Sequence, residues 1–160
     1  MINSSSKDVH VPLRVRIDAT RQLLELFRNG ELYKSYPVST SRFGLGSEAG
    51  SNKTPLGWFA VCKKIGADAA AGAVFRSREP TGEIALQGGE EDLVLTRILW
   101  LDGLQEVNAN TRERYIYIHG TNQEALLGTP ASHGCVRMSN ADIAECFDEI
   151  PEGMPVEIVA

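Results

Sequence analysis

The chain has 160 residues, 42% of them hydrophobic and 23% charged, with a formal net charge of −5. That length and composition suit one globular domain over 1–160, large enough to fold without disulfides or a structural metal. The acidic balance, with no Lys/Arg-rich run, excludes a nucleic-acid partner and leaves anionic ligands to local cations.

The opening "MINSSSKDVHVPLRVRID" has no apolar core of an export signal, and no apolar run approaches the ~20 residues of a spanning helix. His10 falls in this polar opening and is read as a surface residue. The three cysteines, Cys62, Cys135 and Cys146, make no disulfide framework. Reduced thiols and no leader give the expectation of a cytoplasmic protein with no membrane partner.

In chain order, "LRVRID" alternates with period two and reads as a strand. "QLLELFRNGELYKSYPVST" holds two strands joined at Asn29-Gly30, a strong hairpin signal. Residues 41–55 are rich in Gly, Ser and Asn and read as a loop. "LGWFAVCKKI" returns to strand character, with Phe59, Val61 and Lys63 on one face and Trp58, Ala60 and Cys62 on the other. Residues 66–92 show no clean period and are expected to form a flap over a site. "LVLTRILWLDGL" and "RYIYIHG" are further strands, the second placing Tyr115, Tyr117 and His119 on one face. A helix follows, capped by Ser139 or Asn140 with Asp142 in the capping-box position, and Ile143, Cys146, Phe147 and Ile150 form its apolar stripe. Pro151 and Gly153 end it, and "MPVEIV" closes the chain as a strand. The fold expected is mainly β with one or two short helices.

Chemistry concentrates in "ASHGCVRM", residues 131–138. Cys146 lies on the helix stripe and Cys62 in a strand, so both read as packing thiols. Cys135 has His133 two residues away and His119 at a strand end. A cysteine nucleophile needs such a base, because a free thiol is mostly protonated at neutral pH. Gly134 lets backbone approach a substrate, so that nearby N–H groups could face an oxyanion. The same atoms could make a Cys/His₂ zinc site, although paired metal-ligand spacing is lacking. A buried cysteine beside a satisfied core histidine is the third reading.

Residues 118–158, "IHGTNQEALLGTPASHGCVRMSNADIAECFDEIPEGMPVEI", resemble the signature region of the YkuD-type L,D-transpeptidase catalytic domain. That pattern is His-Gly followed by Ser/Thr-His-Gly-Cys and an arginine, matched here by His119-Gly120, Ser132-His133-Gly134-Cys135 and Arg137. The hairpin at 22–40 and "TPLGWFAVCKKIG" resemble upstream elements of the family.

The resemblance implies a β-sandwich of mixed sheets and an enzyme needing no cofactor or metal. Cys135 would attack the meso-diaminopimelate–D-Ala bond of peptidoglycan stem peptides, its partners, to form a thioester. His119 would be the base, oriented by the Gly120 carbonyl. His133, Gly134 and Cys135 would shape the oxyanion region. Ser132 and Arg137 would hold the motif loop and a substrate carboxylate, Arg137 being equally readable as a salt-bridge brace. Tyr117 and Trp100 would line the pocket or pack in the core, and Arg76, Arg78 or Lys63 would supply local cations. Carbapenem acylation of the thiol is implied too. Water as acceptor makes an L,D-carboxypeptidase that trims tetrapeptide to tripeptide in cytoplasmic recycling. An amine acceptor makes a periplasmic L,D-transpeptidase. A non-catalytic peptide-binding module is the reading from another class.

Overall fold

The computed structural model describes residues 13–160; the readings of His10 and of the opening segment lie outside them. Among the described residues are ten strands and one α-helix, so the chain is mainly β with a mixed sheet. Strands β1 (Leu13–Asp18), β2 (Leu23–Arg28) and β3 (Glu31–Pro37) form an antiparallel meander. Period-two alternation buries Val15 and Ile17 completely. Asn29 and Gly30 take φ of 56° and 78°, the paired left-handed residues that a two-residue hairpin turn needs.

The remaining strands are β4 (Gly57–Ile65), β5 (Ala73–Arg76), β6 (Glu79–Ile84), β7 (Val94–Gly103), β8 (Tyr117–Gly120), β9 (Val136–Met138) and β10 (Pro155–Val159). The order β3-β2-β1-β10-β4-β7 continues through β8 to β9. The β1–β10 and β8–β9 pairs are parallel. Beyond β3, Ser39 exchanges backbone hydrogen bonds with Arg137 of β9, at 3.0 and 2.9 Å. The expected sandwich is thus built from one network that closes on itself, leaving few open edges.

Inside lies one main core, to which β1, β4, β7 and β8 contribute Ile17, Phe59, Leu99 and Ile118. Helix α1 (Asn140–Glu149) adds Ile143, Cys146 and Phe147, the stripe expected of it, and Ile150 follows at its C-cap. Its start is set by Ser139, whose Oγ accepts the Asp142 N–H at 3.0 Å. The Asn140 N–H goes instead to Glu124 Oε2, at 2.8 Å. Cys146 is fully buried and Cys62 half-buried.

Three local expectations are corrected. Residues 66–92 are no free flap: β5 and β6 form a hairpin, and β5 pairs with β7 through Val74↔Leu95 and Phe75↔Val94. Every residue of β6 is exposed, so no apolar alternation marks it. The following loop is tied down, with Asn122 Nδ2 donating to the carbonyls of Gly88 (2.8 Å) and Glu91 (3.0 Å). In "RYIYIHG", Tyr115 has φ of 57° and falls outside β8; it is exposed, while Tyr117 and His119 share a face as expected. In β4 a bulge between Val61 and Lys63 turns Lys63 away from the buried face of Phe59 and Val61, to stand beside Trp100.

Candidate active site

Side chains at paired positions of parallel strands share a face and alternate along each strand. In β8–β9 the register is Ile118↔Val136 and His119↔Arg137. Tyr117, His119, Cys135 and Arg137 therefore face one side, with Cys135 one residue ahead of β9. The Tyr117 N–H donates to Cys135 Sγ at 3.3 Å, and Sγ donates to the Tyr115 carbonyl at 3.3 Å. The departure of Tyr115 from the strand is what turns its carbonyl to the thiol.

His119 is 1% exposed, and its Nδ1 donates to the Gly120 carbonyl at 2.6 Å. A carbonyl only accepts, so the proton sits on Nδ1 and Nε2 keeps its lone pair. Burial pushes the imidazole below its ordinary range, while Asp92 and the Gly120 carbonyl pull the other way. Burial also pushes the Cys135 thiol up to about 12, against the Tyr117 N–H, Arg137 and Arg114, which pull it down. The resting pair is thus a neutral thiol and a neutral imidazole. Gly120 has no room for a side chain: a Cβ would meet the Leu95 carbonyl oxygen at 2.8 Å and also Asn140 Oδ1.

Asp92 is the site residue that the sequence reading missed. Its carboxylate bridges Arg137 Nη2 and His133 Nδ1, each at 2.9 Å. Burial pushes its pKa up, but His119, Arg137 and His133 outweigh that and hold it below the usual carboxylate range. It closes the acidic run "GGEED", in which nothing local distinguishes it from Glu90 or Glu91.

Arg137 is 1% exposed. Its Nη1 donates to Gln123 Oε1 at 2.8 Å, and its buried Nε has no partner among the described residues. Of its two expected roles, the structure shows the brace. Ser132, expected with Arg137 to hold the motif loop and a substrate carboxylate, is fully buried and committed to the loop. Its Oγ donates to the Cys135 carbonyl at 2.5 Å and accepts the Gly134 N–H at 3.2 Å. This also removes Gly134 N–H from the expected oxyanion donors. The Gly134 carbonyl accepts from Thr54 Oγ1 at 2.9 Å, with the residue at φ +128°, where L side chains are strained.

His133 is exposed, with its ring turned to Asp92 and stacked obliquely on Phe43. No group of three His, Cys, Asp or Glu able to hold a metal occurs among the described residues. Tyr117 is nearly buried; its hydroxyl accepts from Arg78 Nη1 at 3.1 Å, and its ring meets Trp100 edge-on. Arg76 is exposed on β5.

Two clefts flank Cys135 on opposite sides in the strand order. One, of about 590 Å³, is lined by Arg42, Glu90, Gln123, His133 and Arg137. The other, of about 380 Å³, lies under the β5–β6 turn, between Lys63, Arg78, Glu79 and Trp100. A thiol, a base with an oriented lone pair and cations on both sides can bring a sulfur nucleophile to the carbonyl of an anionic substrate. That is the layout of a cysteine acyl-transfer site.

Comparison with known proteins gives the family. The chain belongs to the YkuD family, the L,D-transpeptidase catalytic domain, which matches residues 12–158. The L,D-transpeptidase YkuD of Bacillus licheniformis is 24% identical over 148 residues, 92% of this chain and 66% of that protein. Over a shorter stretch, the L,D-transpeptidase YbiS of Escherichia coli K12 is 44% identical over 46 residues, 29% of this chain and 15% of its own. An L,D-transpeptidase from Mycobacterium smegmatis shares the fold with a TM-score of 0.63 and 20% identity, over 94% of this chain and 59% of that one. LdtMt1, solved in complex with imipenem, gives a TM-score of 0.59 and 22% identity, over 93% and 59%. The chain thus spans just under two thirds of the length of the curated YkuD relative and about three fifths of these solved chains.

Proposed function

We propose that the protein is an L,D-carboxypeptidase that trims peptidoglycan stem tetrapeptides to tripeptides through a Cys135 thioester. The observation that carries this is the His119 ring, fixed through Nδ1 by the Gly120 carbonyl so that Nε2 keeps its lone pair, on the same strand-pair face as Cys135. His119 Nε2 takes the thiol proton as Sγ attacks the carbonyl of the diaminopimelyl–D-Ala bond. The Cys135 N–H then faces the oxyanion, Gly134 being engaged with Ser132. Collapse breaks the C–N bond, and the proton passes from His119 to the departing D-Ala amine. Water, deprotonated by the same ring, attacks the thioester and releases the tripeptide acid and the free thiol.

Carboxylates of the substrate find cations on both sides. The free carboxylate of D-Ala fits the cleft lined by Arg42 and His133. Water is supported as acceptor by the open groove. The 66–92 segment is pinned as a hairpin and a tied loop rather than free to close, and a transferase has to keep water from its acyl-enzyme. Three free cysteines fit a reducing compartment, and we place the reaction on soluble stem peptides in the cytoplasm. The names of the relatives favour a second reading, an L,D-transpeptidase with an amine acceptor.

Mass spectrometry of products from a free tetrapeptide, with and without an added D-amino acid, separates these readings. Tripeptide and D-Ala in both incubations support the carboxypeptidase; exchanged or crosslinked peptide as the main product refutes it. Imipenem, bound by LdtMt1, should add covalently to Cys135. With neither turnover nor a thiol adduct, the protein is a binding module.

A further inference from the structure

We propose that Arg78, with Lys63, forms a subsite for the free α-carboxylate of the D-isoglutamyl residue preceding the scissile diaminopimelyl unit. This rests on the stem-peptide reading above. The sheet supplies a straight track to it. Lys63 pairs with Trp100, Trp100 with Tyr117, and Tyr117 stands opposite Cys135. At ~4.8 Å per strand, Trp100 lies ~10 Å from the nucleophile's strand. Arg78 spans that interval, its guanidinium 4.9 Å from the Trp100 ring, 5.0 Å from the Tyr115 ring and 3.1 Å from the Tyr117 hydroxyl. From a scissile diaminopimelyl carbonyl, seven bonds lead back to the isoglutamyl α-carboxylate, an extended reach on the order of 9 Å. The two lengths match.

The backbone is shaped to put the arginine there. Ser77 and Arg78 hold φ of 49° and 67°, conformations that glycine adopts without strain and L residues do not. The bulge in β4 likewise turns Lys63 toward the cleft. Among the described residues neither cation has an ion-pair partner. Glu79 also lines the cleft, which therefore holds two cations against one carboxylate. A guanidinium stacked on aromatic faces keeps its in-plane N–H fork for a planar anion.

The test is kcat/KM for D-Ala release from two tetrapeptides that differ only in D-isoglutamate against D-isoglutamine. Wild type should prefer the acid about tenfold or more, as for a hydrogen bond to a charged group. Arg78→Gln should cut the ratio severalfold, leaving what Lys63 supplies, Arg78→Lys should retain only part of it because the planar fork is lost, and Arg78→Glu should bring it to one or below. Melting curves confirm that each variant folds; should Arg78→Gln not fold, the Lys and Glu variants decide. A wild-type ratio near one, or a ratio unmoved by the variants, overturns the subsite. Release from neither peptide by wild type overturns the functional reading and the subsite with it.

Discussion

Cys135 stands between two cation-bearing regions built in opposite ways. On one side Arg137 is 1% exposed and spends its guanidinium on Asp92 and Gln123. On the other Arg78 is half-exposed, stacked on Trp100 and Tyr115, with no carboxylate bonded to it among the described residues. A buried ion pair adds little net stability, yet removing one partner strands the other charge in a low dielectric. Arg137 therefore binds β9 to the Asp92 loop and fixes the ground beneath His119. Arg78 shares its cleft with Glu79 but is bonded to no carboxylate among the described residues, which leaves its charge open to a ligand. A cation near a nucleophile means different things according to whether its charge is already answered.

Removing the centre that both regions serve has the largest effect. Cys135→Ala should abolish D-Ala release, and His119→Gln should lower kcat/KM at least ~100-fold, the usual scale of a lost general base; initial rates by amino-acid analysis check both. The comparison itself is tested by stability. Arg137→Ala should cost roughly 2–5 kcal/mol, because it empties a fully buried side-chain site and leaves Gln123 Oε1 without its donor, whereas Arg78→Gln should cost under about 0.5 kcal/mol. Urea titrations showing equal losses would erase the distinction. Gly120→Ala should cost about 1–3 kcal/mol, because the added methyl pushes on the Leu95 carbonyl and Asn140, and should slow turnover by tilting the carbonyl that holds His119.

The smallest effect is a shift in pH dependence. Asp92 raises the Cys135 and His119 pKa values alike, so Asp92→Asn should move the kcat/KM profile toward acid. The same carboxylate, held below its unfolded value of about 3.9, contributes stability present above that pH and lost as pH falls through the folded value. His119 is also depressed when folded, so its contribution is present above about 6.5 and lost as pH drops below that. Melting temperature against pH should therefore fall less steeply on the acid side in Asp92→Asn and in His119→Gln. Unchanged slopes would contradict these assignments.

Parts of this were legible in the sequence for local reasons. Asn29-Gly30 specifies its own turn, the helix stripe repeats at helical spacing, and His119 and Cys135 lie in one contiguous motif region. Asp92 was not legible, because it reaches Arg137 and His133 across about 40 residues and sits among equivalent acids. The β5–β6 hairpin was hidden because its turn uses Ser77 and Arg78 where glycine is the usual signal, and because β6 buries nothing. Of the two roles the motif offered Ser132, loop and substrate carboxylate, the structure shows the loop, with its hydroxyl turned to the Cys135 carbonyl and the Gly134 N–H.

The most direct single test is the intact mass of the wild-type protein quenched during tetrapeptide turnover. The mechanism predicts an adduct equal to the tripeptide acyl group, mapped to Cys135 and absent from Cys135→Ala. Release of D-Ala by Cys135→Ala, or an acyl group on any other residue, would contradict it.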